Sequence, residues 1–370
     1  MDVNDPLAPS GSRQVAGYVL LAGVEVPFVS WDVDSNSFYS ADTFSIVFAL
    51  SAMPADTGAL WWWSNQTDIE ISISSAITGK NSCSMKSLIT GGVDKWHFNP
   101  AKFEVTAEGR DYTAKFIDTK TSEKFSNYTT SQVATMLAQR HGLTPVVTPT
   151  TTSVGAITKY DHTHVTDERT EWDLLSYFAG LDGFQVYVTG NELHYEPALD
   201  PDTADQYVIR WHAAMLKAYP QSNVSDDLQF ERDLTLAKGV TVQVRSWNAK
   251  SGKAYTESYP TNSARGIAPG QAVAKRQVYS VVRSGLDRQG AQALAQAIHK
   301  QITQHEMRMS ASMPGDNLLT ASTIIRVEGS DSTFDQLYYP DSVRRSMSFE
   351  SGYSMSLTAK NHNPNSMVLP

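Results

Sequence analysis

Two blocks of period-two apolar alternation, parted by a block of helical period, restrict the folds open to this chain more than any other feature. In DTFSIVFAL, Phe44, Ile46, Phe48 and Leu50 point to one side of an extended segment. In TDIEISISS, Ile69, Ile71 and Ile73 alternate with Glu70, Ser72 and Ser74. Successive strand residues face opposite sides, so each run hides one face and leaves the other polar. KFEVTAEGRDYTAKFID reads as two alternating runs about a Gly-containing turn. Turn signals between such runs predict an antiparallel sheet closed into a barrel or sandwich.

The period changes after Phe125. Thr129 or Thr130 caps a predicted helix with Val133, Met136 and Leu137 on its core face, and Gly142 supplies a left-handed stop. ERTEWDLLSYFAGL predicts a second helix with Trp172, Leu175 and Phe178 along one face and Leu174 beside them. It ends at Asp182-Gly183 and runs into FQVYVTGNELHYEP, where Gly190-Asn191 marks a tight hairpin. Alternation returns in GVTVQVRSW, is interrupted by TNSARGIAPGQAV and the helical stretch DRQGAQALAQAIHKQITQ, and closes in SMSFESGYSMSLTAKN. There Met347, Phe349, Tyr353, Met355 and Leu357 keep the pattern. FEVTAEGRDYTAKF and SFESGYSMSLTAKN echo each other faintly, each with a Phe-Glu strand, a glycine turn and a Tyr-led return.

The fold class expected is therefore mainly β with α+β character. An N-terminal β-barrel domain takes residues 1–125 and a small α/β domain 126–204. A second β-barrel domain takes 205–260 with 305–370, and 261–304 form a helical insertion.

The formal charge of −9 is concentrated at the start: residues 1–125 hold 15 Asp and Glu against 9 Lys and Arg, giving −6 of that total. A nucleic-acid binder needs a basic stripe to neutralise phosphates, and this chain has none. Stable nucleic-acid binding is not expected. The lone Cys83 leaves no intrachain disulfide framework and no cysteine-rich zinc site, and NSCSMKS reads as a structural thiol. No apolar run reaches the length of about 18 residues that suggests a membrane span, and no secretion signal is visible. The sequons at Asn65, Asn127 and Asn223 are accordingly read as chance.

His162 and His164, flanked by Asp161 and Asp167, have the spacing of two ligands on one strand face, but nothing fixes a third, so no metal is expected. The pairs Asp226/Asp227 and Glu168/Glu171 read as solvated turn and helix-start carboxylates rather than a glycosidase acid and base. No Walker loop, dinucleotide fingerprint or nucleophile elbow occurs. Trp61, Trp62 and Trp63 cannot all face one core from a strand, so at least one is expected to pack outside its own barrel, against a partner.

Three stretches taken together resemble one family. GRDYTAKFID leading into SNYTTSQVATMLAQRHGL resembles the Gly-Arg-Asp strand and following helix of phage late control D proteins, the baseplate hub proteins of contractile tails. TEWDLLSYFAGLDGFQVYVTGNELHYEP is similar to that family's helix, turn and hairpin. The block from MPGDNLLTASTIIRVEG to SMSLTAKN resembles its C-terminal barrel, and the three occur in the family's order.

The resemblance implies a homotrimer whose chains each contribute two tail-tube-like barrels. Three chains would then form a pseudo-sixfold ring that adapts a sixfold tail tube to a threefold central spike and leaves an axial channel for DNA. The partners implied are the tail tube protein or a distal tube adaptor, the central spike protein and the tape measure protein. The implied place is the tail baseplate of the virion, reached after assembly in the host cytoplasm. Neither enzymatic activity nor a cofactor is expected. Two alternatives keep other functions: a hub that also hydrolyses peptidoglycan, and a β-rich carbohydrate-binding or adhesin module. A channel that passes DNA should not retain phosphates, so the lumen is expected to be neutral to negative, with cations turned to subunit contacts. Arg110, paired with Asp111, Asp118 or a neighbouring chain, joins Asp111 and the three tryptophans as candidate subunit or partner contacts.

Overall fold

The alternation of the first block is the pattern its strands bury. The computed structural model describes residues 14–37, 40–52, 69–78, 83–123, 125, 127–152, 154, 169–198, 204, 206–211, 227–232, 240–248, 252–259, 277–283, 285–286, 288–303, 307–320 and 322–361. Seven strands build the first β lobe: β1 (Gln14–Leu21), β2 (Val24–Glu25), β3 (Ser30–Asn36), β4 (Thr43–Ala49), β5 (Glu70–Thr78), β6 (Cys83–Asn99) and β7 (Glu104–Asp111). Phe44, Ile46 and Phe48 of β4 meet Ile71 and Ile73 of β5, with Trp31 and Val33 of β3, in one core. Each such side chain contributes roughly 1.5–3 kcal/mol on leaving water.

One part of this lobe departs from the expected hairpin. KFEVTAEGRDYTAKFID does not turn at Gly109, which sits inside β7 opposite Val93. A side chain there would run into the Gly92 carbonyl and Phe44, and one on Gly91 would meet the Arg110 carbonyl. The glycines serve close backbone approach, and a bulge between Val93 and Lys95 accompanies it. The Tyr-led return strand is instead a helix, α1 (Thr113–Asp118).

The middle of the chain adds β8 (Lys120–Thr121), α2 (Thr130–Arg140), β9 (Thr144–Val147), β10 (Arg169–Thr170), α3 (Glu171–Asp182), β11 (Phe184–Thr189) and β12 (Glu192–Pro197). Both longer helices start on capping boxes, Thr129 with Gln132 and Thr170 with Asp173. Gly142 and Gly183 follow them in the left-handed region, at φ 75° and 69°. Val133, Leu137, Trp172, Leu175 and Phe178 share a core with Phe116, Leu193 and Tyr195. The β11–β12 hairpin turns through Gly190-Asn191, as its sequence predicts.

The rest comprises β13 (Gln206–Arg210), β14 (Asp227–Arg232), β15 (Val240–Asn248), β16 (Lys253–Tyr259), β17 (Gln277–Val282), α4 (Arg288–Thr303), β18 (Met307–Pro314), β19 (Ile324–Glu328), β20 (Leu337–Ser348) and β21 (Gly352–Lys360). Tyr207, Ile209, Met309, Ile325, Tyr338, Val343, Met355 and Leu357 form the core of a second lobe. The β15 and β16 strands were expected in that lobe. They pair instead with each other and with β17 in a separate three-stranded sheet. Val242 and Val244 pack there on Ala291, Ala295 and Ile298 of α4. Alternation specifies which face a strand buries but not which helix or sheet covers it.

The lobes are not independent. Strand β20 pairs with β3, setting Val343 beside Ser35 and Met347 beside Trp31, so one sheet runs β14-β18-β21-β20-β3-β4-β7-β6-β5-β1-β2, with β13 and β19 attached. Among the described residues this path has two ends, and the pairing fuses the two β lobes into one sheet. Phe349, expected in the buried alternation, is 83% exposed in the β20–β21 turn and stacks on Phe28 at 5.8 Å.

Candidate assembly site

Strand register brings polar residues from both lobes into lines. Reading across the sheet, Asp227, Ser312, Ser356, Arg344, Asp34, Thr43 and Arg110 stand side by side on seven strands, β14 to β7. A second line runs Ser354, Ser346, Asp32, Ser45, Glu108 and Lys95 over β21 to β6. These are the faces opposite the two cores. A shallow groove of about 380 Å³ lies over them, bounded by Asp32, Asp34, Asp94, Glu108, Arg110 and Arg344. Arg344 donates to Asp32 at 3.1 Å.

Consecutive residues of β7 go to opposite sides. Arg110 lies on the polar face and makes two carboxylate forks. Its Nε and Nη2 donate to Asp94 at 2.7 and 3.1 Å, and its Nη1 and Nη2 to Asp118 at 3.1 and 2.8 Å. These bonds, first to Asp94 and then to Asp118, raise the guanidinium pKa further. One side chain therefore ties β6 and β7 to the end of α1. The sequence reading named Asp118 and missed Asp94, which the bulge in β6 turns toward Arg110.

Asp111 faces inward and is 6% exposed. Its carboxylate accepts from Thr113 Oγ1 at 2.8 Å and Thr113 N at 3.2 Å, while its own N–H donates to the Asp42 carbonyl at 2.9 Å. Half-buried Asp42 accepts from Asn36 N at 2.8 Å. Burial, with the Asp34 charge adding, pushes its carboxyl up to about 7 against the opposing bonds from Asn36 and Ser35. Burial and the Asp42 charge hold Asp111 well above the ordinary carboxylate range.

Buried polar bonds tie the lobes together beyond the β20–β3 seam. Ser75 Oγ of β5 donates to Asn317 Oδ1 at 2.6 Å, and Asn317 Nδ2 returns a bond to the Ser75 carbonyl at 2.9 Å. Tyr353 donates to the same Asn317 oxygen at 2.9 Å. Arg345, 4% exposed, donates to the carbonyls of Asp316 and Leu319. In the α/β unit, fully buried Glu171 accepts from Arg140 and pairs with His141, both at 2.6 Å. A cavity of about 480 Å³ lies where the two lobes and this unit meet, bounded by Lys86, Asp111, His194, Asn317 and Arg345 among others.

Of the sequence candidates, Arg110 and Asp111 flank this junction on opposite faces. Trp61, Trp62 and Trp63 lie outside the described residues, as do Asp161, His162, His164, Asp167, Glu168 and Asp226. Asp227 opens β14 and accepts from Gln229 at 2.8 Å. Cys83 begins β6. Among the described residues no three His, Cys, Asp or Glu side chains gather as metal ligands, and no helix is long and apolar enough to cross a membrane. The arrangement combines polar lines on one face with charged or hydrogen-bonded clamps at each joint.

Neither a family model nor a curated protein matches the sequence. Solved structures do match the fold. A tail protein from Neisseria meningitidis MC58 aligns over 94% of this chain and 96% of its own, with a TM-score of 0.66 at 15% identity. The 43 kDa tail protein of prophage MuSo2 from Shewanella oneidensis aligns over 96% and 99%, with a TM-score of 0.63 at 14% identity. The E. coli c3393 protein is described as a component of the type VI secretion system similar to the T4 tail proteins gp27 and gp5. It aligns over 95% of this chain and 79% of its own, with a TM-score of 0.51 at 10% identity. The chain has the fold of phage tail proteins and of this secretion component.

Proposed function

We propose that this chain is a structural baseplate hub of a contractile phage tail or of an injection machine derived from one. Three copies form a pseudo-sixfold ring, each giving two fused β lobes, and the ring joins a sixfold tube to a threefold spike. The observation that carries the reading is the pair of polar lines crossing both lobes without a break at the β20–β3 seam. A surface of that kind is suited to line an axial channel, because it is continuous, rich in Ser and Thr, and close to charge balance. Its arginines are held by carboxylates, Arg110 by Asp94 and Asp118 and Arg344 by Asp32, and so are not free to retain phosphates. The tail proteins with this fold support the same role. No chemistry is assigned to the chain.

A reconstruction of the intact particle tests the proposal. Threefold symmetry on the tail axis, with β3, β4, β7 and β20 facing the channel, is the expected result. A peripheral or sixfold position overturns it, as does a channel lined mainly by Lys and Arg.

A further inference from the structure

We propose that the free edge of β6 over Ser84–Thr90 takes up one extended, acidic segment of a partner protein as an added strand. The inference rests on the strand pairing around β6 and is independent of the hub assignment.

Strand β6 is 17 residues long, and its two neighbours cover different halves of it. β5 pairs along Cys83–Gly92 and β7 along Gly91–Asn99. β7 reaches Asp111, opposite Gly91, and the chain then leaves the sheet into α1. Beside Ser84–Thr90, where β7 would have continued, no strand lies among the described residues, and none of their turns or loops sends a backbone bond there. The cavity of about 480 Å³ occupies that place, and Lys86, Ser87, Leu88, Ile89 and Thr90 all border it. Strand side chains alternate between faces, so five consecutive residues border one space along their backbone edge. Five residues make about 16 Å of strand. Their outward N–H and C=O groups are the donors and acceptors that an extended backbone recognises.

Two features narrow the occupant. The first is width: Gly190 and His194 of the β11–β12 hairpin, with Thr320, stand across the slot. One strand enters such a space, whereas the edge of a second sheet does not. The register shift at Ile73/Ser74 works the same way, since bulges keep edges from joining flat sheets. The second is charge. Asp111 is held by Thr113, Asp42 by the Asn36 N–H and Glu192 by His194 at 3.5 Å. Arg345 is engaged by the carbonyls of Asp316 and Leu319. Lys86 is exposed and has no ion partner among the described residues. A carboxylate on the entering segment answers it.

The probes are capped heptapeptides that alternate Val and Thr around a central Glu or a central Lys. Two further forms of the Glu peptide are N-methylated on one or the other set of alternate amides. In amide hydrogen exchange of the full chain, the Glu peptide should raise protection at Met85–Thr90 about tenfold. It should bind about threefold or more tightly than the Lys peptide. One methylated form should lose about tenfold in affinity and the other little, because a strand pairs through alternate amides. Lys86→Glu should reverse the preference between the Glu and Lys peptides. No added protection at about 1 mM peptide, equal losses for both methylated forms, or an unchanged preference in Lys86→Glu each overturns the proposal. So does protection already present without peptide: constant on dilution, it would put the chain's own backbone in the slot, and rising with concentration, a second copy.

Discussion

FEVTAEGRDYTAKF and SFESGYSMSLTAKN look alike and fold differently. In the second, Gly352 stands at φ 73° with open space around it, and the chain turns from β20 into β21. In the first, Gly109 is a mid-strand residue pressed against the Gly92 backbone, the strand continues to Asp111, and a helix follows. The same residue answers two needs, a backbone conformation in one place and a missing side chain in the other. Which need applies is decided by the strand lying across from it.

The comparison predicts unequal costs. Gly109→Val should lose about 3 kcal/mol or more, because two backbones must separate. Gly352→Ala should lose only about 1 kcal/mol, the ordinary cost of a left-handed alanine. Urea unfolding of both variants measures the difference, and equal losses would erase the distinction.

A similar contrast separates the clamps. Glu171 is fully buried between Arg140 and His141, whereas Arg110 is 30% exposed with Asp94 and Asp118 more open still. Glu171→Gln should cost about 2 kcal/mol, since it removes the fully buried carboxylate that takes the 2.6 Å bonds from Arg140 and His141. Arg110→Ala should cost about 1 kcal/mol and less in high salt, where exposed pairs are screened. Thermal unfolding at low and high ionic strength sharpens this contrast: a salt-sensitive Glu171 variant would mean that its site is wetter than the geometry shows.

The smallest effect is expected at the β20–β21 turn. Phe349→Ser should change the stability of the isolated chain by less than about 0.5 kcal/mol, because the ring is mostly in water already. Differential scanning calorimetry checks this value. A larger loss would show that the Phe28 stack supports the lobe.

Legibility follows the range of each interaction. The two longer helices and the hairpin of the α/β unit were readable, because a capping box spans four residues and a helical face repeats within two turns. Thr129, one of the two caps expected, Gly142 and Gly183 stand where the sequence put them, and the structure adds Thr170 as the second cap. The sheet of β15, β16 and β17 was read only halfway: Val242 and Val244 were correctly set on one face, but their cover by α4 was not foreseen. The candidate site was less legible. Arg110 and Asp118 were eight positions apart and visible as a pair, while Asp42, Asn317 and Arg345 carry no local signal of their roles.

By itself the sequence determined which faces the strands bury, where the longer helices start and stop, and that the fold is mainly β. These depend on periodicity and on neighbours a few residues away. Only the tertiary structure decided that β20 pairs with β3, that the polar lines run through both lobes, that Gly109 marks a close approach, and that the Asp111 N–H reaches the Asp42 carbonyl. Those features depend on partners far along the chain, as with Ser75 and Asn317, which are 242 residues apart. Alternation tells each strand which side to hide, and it carries no information about which edge to join.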